Sequence, residues 1–209
     1  MLTPLIGCRR DNCPLVKDVS TAILNKIMYD RSPSLAIEEA RACVLRVLRH
    51  QEPLEKFVVS KALRADYKNT AQPHLHVARK ILQRTGQPVP SGVRVPFVYI
   101  EDAKNPDGLL AARAEDPEWV RSQGLKLDVL HYIQHQLESP ITALLELLVD
   151  DPAKAVFESE DIEPLMQQLT NQRANEVQTA KRVRKNAANN QREITAFFAP
   201  TPKLSCPTA

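Results

Sequence analysis

Between Phe57 and Ile100 the chain passes from a strand-like run to a helical face and back to a strand, and that order limits the folds open to it. Phe57-Val58-Val59 is β-branched and aromatic, which suits a short strand. Lys61, Arg64, Tyr67 and Lys68 follow as a cluster of cations with one aromatic. Pro73 stands at a first helical position, where its missing N–H costs nothing. Behind it Leu75, Ala78, Ile81 and Leu82 recur with helical spacing. Gly86, Pro88, Pro90 and Gly92 end that helix and turn the chain into a second strand, residues 93–100. Cations beside a strand and a turn, above an apolar support, suit a grip on a polyanion backbone. On composition alone the same cations could simply face water.

The remaining elements support this stretch, and the fold class expected is mostly α with a small β element (α+β). Pro14 opens a helix with Leu15, Val19, Ala22, Ile23, Ile27 and Met28 on its apolar face. Ser32-Pro33 opens a second, lined by Ala36, Ala40, Cys43, Val44, Val47 and Leu48, and the two should form a hairpin. Residues 101–124 read as a loop with a short helix, a turn at Pro106-Asp107-Gly108 and Trp119 packing it down. Asp128 suits the N-cap of a helix over 128–138 with Val129, Ile133 and Leu137 inward. Ser139-Pro140 should break that helix, and the run 141–148 should end at Asp150-Asp151-Pro152. His131 and His135 could offer two imidazoles to a metal, but no third ligand is evident, so no metal site is expected.

The net charge of +3 is too small to imply nucleic-acid binding, so any electrostatic footprint must be local. No apolar run approaches the ~18 residues of a membrane span, and no signal-peptide pattern opens the chain, which reads as soluble. Cys8, Cys13, Cys43 and Cys206 form no C-x-x-C pair and are expected as free thiols in a reducing compartment.

Residue order carries a resemblance. Val59-Ser60-Lys61-x-Leu63, Tyr67-Lys68, Pro73-His74-x-x-Val77-Ala78-Arg79 and Gly92-x-Arg94-Val95-Pro96-Phe97-Val98-Tyr99-Ile100 resemble, in this order, the thumb subdomain of family B DNA polymerases, above all the delta and viral members. Gly7-Cys8-Arg9-Arg10-Asp11-Asn12-Cys13-Pro14 looks like the end of their palm, and Asp128, Tyr132, Gln136, Leu137 and Pro140 fall where they have a helix. The likeness covers roughly residues 5–148 and implies a palm end at 1–13 and a thumb over 14–158. It implies primer–template contact through Arg9, Arg10, Lys61, Arg64, Tyr67, Lys68, His74 and Arg94. The family transfers nucleotidyl groups with palm aspartates and metal ions. No such motif stands in this chain, so it should be inactive alone, with no cofactor of its own and Mg2+ held in the palm of the remaining polymerase. Two departures matter: Val93 replaces the acid of G-D-R-V, and the cysteine-rich modules of cellular delta enzymes are missing, which suggests a viral or divergent member.

Residues 159–190 read as a linker or weak helix, docked through Ile162, Leu165, Met166 and Leu169. The basic cluster at Lys181-Arg182-Val183-Arg184-Lys185 stays open between a solvated face, a nuclear import signal and a phosphate contact. In residues 191–200, Gln191, Ile194, Phe197 and Phe198 match the Q-x-x-I-x-x-F-F peptide by which replication proteins bind the PCNA-type sliding clamp. One helical turn puts Ile194 and Phe197 on one face, with Phe198 beside them. The competing reading folds both Phe onto the core. Residues 201–209 read as a disordered end of a flexible tail. The expected partners are duplex primer–template, the clamp and the rest of the polymerase, with no membrane. The expected location is the nucleus or a viral replication site, or else a prokaryotic cytoplasm. A stand-alone, non-enzymatic DNA- and clamp-binding adaptor is the alternative, and an unrelated helical regulator a third.

Overall fold

The structure, a computed structural model, describes residues 12–101 and 109–197, with side chains as far as residue 187. Two helices open it, each with proline in its first turn: α1 (Pro14–Met28) and α2 (Pro33–Leu48). The Ser32 hydroxyl caps α2 by accepting the Leu35 N–H at 3.4 Å. All six positions expected inward on α2 are buried. On α1 the buried face is Leu15, Val16, Val19, Ser20 and Ile23, whereas Met28 is 63% exposed because the final turn runs past the packed surface.

The first strand starts later than expected. Leu54–Phe57 is a 3-10 turn, and β1 is Val59–Ala62. Phe57 turns into the core, and its carbonyl accepts the Tyr132 hydroxyl at 3.0 Å instead of a strand partner. β2 (Arg94–Tyr99) pairs antiparallel with β1, setting Lys61 opposite Val95 and Ala62 opposite Arg94. A third strand, β3 (Ala114–Glu115), pairs with the other edge of β2, giving the order β1-β2-β3. Its two residues lack β-branching and gave no strand signal.

α3 (Pro73–Thr85) lies against this sheet and ends at Gly86, whose φ of 73° favours glycine. Its buried face is His74, Val77 and Ala78, with Ile81 packed beside them; Leu75 is half-buried and Leu82 exposed. The face is turned from the expected Leu75–Leu82 stripe because His74 can enter the interior with a polar partner. α4 (Pro117–Gln123) is capped by Asp116. Asp128 caps α5 (Val129–Tyr132) by accepting the His131 N–H at 3.0 Å.

The expected break at Ser139-Pro140 does not occur. A π-helical stretch, Ile133–Leu137, follows α5 and runs into α6 (Glu138–Leu145), which contains Pro140. A proline removes one N–H and crowds the carbonyl four residues back; the wider π turn just upstream relieves that crowding. Tyr132, Ile133, Leu137, Ile141 and Leu145 from this kinked rod fill the core. Asp151 caps a further helix, α7 (Pro152–Phe157), and Arg41 of α2 donates to the Ala155 carbonyl on it at 2.6 and 2.8 Å. The described residues end in α8 (Glu163–Phe197), 35 residues of helix over the span read as a linker or weak helix and as the clamp-binding peptide; residues 198–209 lie outside the described residues.

Cys13 and Cys43 are free and buried, and burial pushes their thiols up to about 11 and about 12. They pack as small apolar groups. Cys8, Cys206 and the turn at 106–108 lie outside the described residues. No helix among the described residues is long and apolar enough to cross a membrane.

Candidate nucleic-acid interface

β1, the loop that follows it, the start of α3 and the first residue of β2 enclose an open cleft of about 750 Å³. Six of the eight DNA-contact candidates line it: Lys61, Arg64, Tyr67, Lys68, His74 and Arg94. Four cations thus face a single carboxylate, Asp66. Backbone pairing brings them together. Leu63 N–H donates to the Val93 carbonyl at 2.9 Å, and Gly92 N–H donates to the Leu63 carbonyl at 2.7 Å. Gly92 has φ 89°, a turn geometry that costs a side-chain-bearing residue strain. Arg94 lies across the strand pair, with its Nε donating to the Ser60 hydroxyl at 3.0 Å and its guanidinium also on the Ser60 carbonyl. Among the described residues no carboxylate pairs with Lys61, Arg64 or Lys68.

Tyr67 and His74 shape the loop. The Tyr67 hydroxyl accepts the Arg64 N–H at 2.7 Å and meets His74 Nε2 at 2.8 Å. The two rings sit edge to face, 5.4 Å apart. His74 is only 4% exposed, so it acts on the cleft through Tyr67 more than through its own surface. Burial lowers its pKa, and Lys61 and Arg64 lower it further, which favours the neutral ring. Its Nδ1 is buried with no partner among the described residues.

The opposite end of α3 carries an ion network that the sequence reading missed. Arg84 forks onto Glu115 at 2.8 and 3.0 Å and stacks over Trp119, 4.0 Å from the ring centroid. Lys80 donates to the carbonyls of Ala112 and Ala114 and to Glu115. Burial acts to raise the Glu115 carboxyl, but bonds from Arg84, the Asp116 N–H and Lys80 outweigh it and hold it below the ordinary carboxylate range. The only sequence signal was the spacing of Lys80 and Arg84 on one helical face. Trp119, expected to pack the segment down, stays 36% exposed and meets α3 through that cation stack.

Tyr132 ties the sheet to the helical core. Its hydroxyl donates to the Phe57 carbonyl and accepts the Tyr99 N–H, both at 3.0 Å. His131 packs its ring 4.3 Å from Tyr99 and 4.7 Å from His135, and burial pushes its pKa down to about 4. No group of three or more His, Cys, Asp or Glu that could hold a metal stands among the described residues.

Arg9, Arg10 and Phe198 lie outside the described residues. The backbone at Gln191, Ile194 and Phe197 forms the last turns of α8.

The match to DNA polymerase family B runs over residues 6–148. The chain belongs to DNA polymerase family B. Within the family, a DNA polymerase of Paramecium bursaria Chlorella virus NY2A is 46% identical over 190 residues, 91% of this chain and 21% of that protein. The Acanthamoeba polyphaga mimivirus DNA polymerase is 34% identical over 68% of this chain and 8% of that protein. The Bos taurus DNA polymerase delta catalytic subunit is 34% identical over 73% of this chain and 14% of its own length. Among solved structures, the family B DNA polymerase of the hyperthermophilic archaeon Pyrobaculum calidifontis superposes with a TM-score of 0.56 and 27% identity, covering 66% of this chain and 18% of that one. The chain thus spans about a fifth or less of these family B relatives. The chain's own match to the family stops at Leu148, so α7 and α8 lie beyond it.

Proposed function

We propose that this chain is the thumb-containing, C-terminal part of a delta-like, viral or divergent replicative DNA polymerase, and that its cleft grips the sugar–phosphate backbone of primer–template duplex. The observation that carries this reading is the convergence of four cations on one cleft holding a single carboxylate. Such a surface attracts a polyanion and carries no base-reading geometry, so it should hold duplex with little sequence preference. Arg9 and Arg10 would add contacts at the primer end. Nucleotidyl transfer, and the Mg2+ it needs, belong to the palm of the remaining polymerase. The site of action is the nucleus or a viral replication site.

The second part of the proposal is the tether. Gln191, Ile194, Phe197 and Phe198 have the spacing of a clamp-binding peptide, and weak binding there raises residence when the cleft holds the duplex threading the ring. In the whole polymerase, Lys61→Gln with Lys68→Gln should shorten products made without the clamp. Phe197→Ala with Phe198→Ala should abolish clamp stimulation while leaving clamp-free synthesis intact. Unchanged product lengths refute the grip, and retained stimulation refutes the tether.

A further inference from the structure

The long helix α8 has two faces with different fates. Its root is docked: Ile162 just before it is buried, and Leu165, Met166 and Leu169 pack against the core. Arg173 extends the docked face and lies 3.4 Å from Asp128, which also holds Arg113 at 2.5 Å. From Gln178 to Ala187 every residue is exposed except half-buried Ala180. Over that stretch the helix stands clear of the body as a rod.

The rod carries charge of one sign. No Asp or Glu occurs between Glu176 and Glu193, a span that holds Lys181, Arg182, Arg184, Lys185 and Arg192. None of Lys181, Arg182 or Lys185 has an acid three or four positions away, where a helix ordinarily supplies its counter-charge. Lys181 and Lys185 are themselves four apart, a like-charge spacing that costs an isolated helix a few tenths of a kcal/mol. At about 100° per residue, Gln178, Lys181, Arg182 and Lys185 fall within one arc of about 100°, turned about 150° from the docked face. The stripe has amides and cations but no aromatic or aliphatic anchor of the kind protein interfaces depend on.

We infer that this stripe is a second, sequence-independent binding site for duplex DNA, separate from the cleft and engaging the phosphate backbone. Length fits the assignment. The 20 residues from Gln178 to Phe197 span about 30 Å, or roughly 9 base pairs of rise at about 3.4 Å each. A rod of that reach can lie along duplex that has already left the cleft, with the stripe at its base. The inference takes its occupant from the proposed duplex grip, but its residues are independent of the cleft.

The test uses the 209-residue chain and a 30-base-pair duplex, with affinity followed across a salt series and helix content checked by circular dichroism. Lys181→Gln, Arg182→Gln and Lys185→Gln together should reduce the slope of log affinity against log salt by about 2.7, at about 0.9 per lost phosphate contact. A cleft variant, Lys61→Gln with Lys68→Gln, should lose its own share of slope independently. If the cleft variant loses slope and the stripe variant does not, the stripe is not a DNA site. If the stripe variant alone loses slope, the stripe stands and the cleft reading fails. A parent chain with no affinity for duplex overturns both.

Discussion

At the far end of α3, Lys80 and Arg84 close on Glu115, two backbone carbonyls and the face of Trp119. At its near end, Lys61, Arg64 and Lys68 border a cleft whose one acid, Asp66, pairs with none of them among the described residues. The residue types are the same, and the counter-charge differs. Inside the protein the cations are consumed in holding helix to sheet. At the cleft they are held in place by backbone pairing and by the Tyr67–His74 contact, and their charge stays available to an outside anion. Cation count therefore says little about function; where the matching carboxylates sit says more.

The sharpest way to break this contrast is to remove Glu115. Glu115→Ala leaves two partly buried cations without their acid and should destabilise the fold by about 3–4 kcal/mol, read as a lower urea midpoint with an unchanged slope. The pH dependence has a definite sign. With its folded pKa held below the ordinary 4.5, Glu115 contributes fully above about pH 4.5, and that stability is lost as pH falls through the lower folded value. Glu115→Gln should flatten that acid limb.

His131 gives the next largest effect. Its folded pKa of about 4 lies below the ordinary 6.5, so the unfolded chain binds the proton first as pH falls. Stability should decline from pH 6.5 towards 4, by about 3 kcal/mol from this group. His131→Leu should flatten that window; an unchanged profile would show that the ring is not held neutral by burial. Tyr132→Phe removes the hydroxyl from both the Phe57 carbonyl and the Tyr99 N–H and should cost about 2 kcal/mol. A cost below about 0.5 kcal/mol would mean water replaces the hydroxyl.

The contrast also explains what could be read from the chain in advance. α2 was legible because its apolar spacing and its Ser32 cap agree with each other. Lys61, Arg64, Tyr67, Lys68 and His74 were legible because they cluster within a short stretch of chain after the first strand signal; Arg94 joins them through the β1–β2 pairing. Phe57 misled, since β-branched and aromatic neighbours favour a strand while a tyrosine 75 residues away claims its carbonyl. Pro140 misled for a similar reason: the π turn that accommodates it has no sequence signature of its own. The Glu115 network joins residues more than 30 positions apart and becomes visible only once β3 is placed. In α8, Gln, Asn and Ala suggested a linker or weak helix, although Ala, Gln, Lys and Arg are also good helix formers.

The most direct test of the central claim removes the cleft cations and reads binding and stability on the same samples. Duplex affinity of Lys61→Gln/Arg64→Gln/Lys68→Gln is followed across a salt series beside the parent chain, with urea unfolding on the same samples. The account predicts a salt slope smaller by about 2.7 and a stability within about 0.5 kcal/mol of the parent. A slope equal to that of the parent contradicts it.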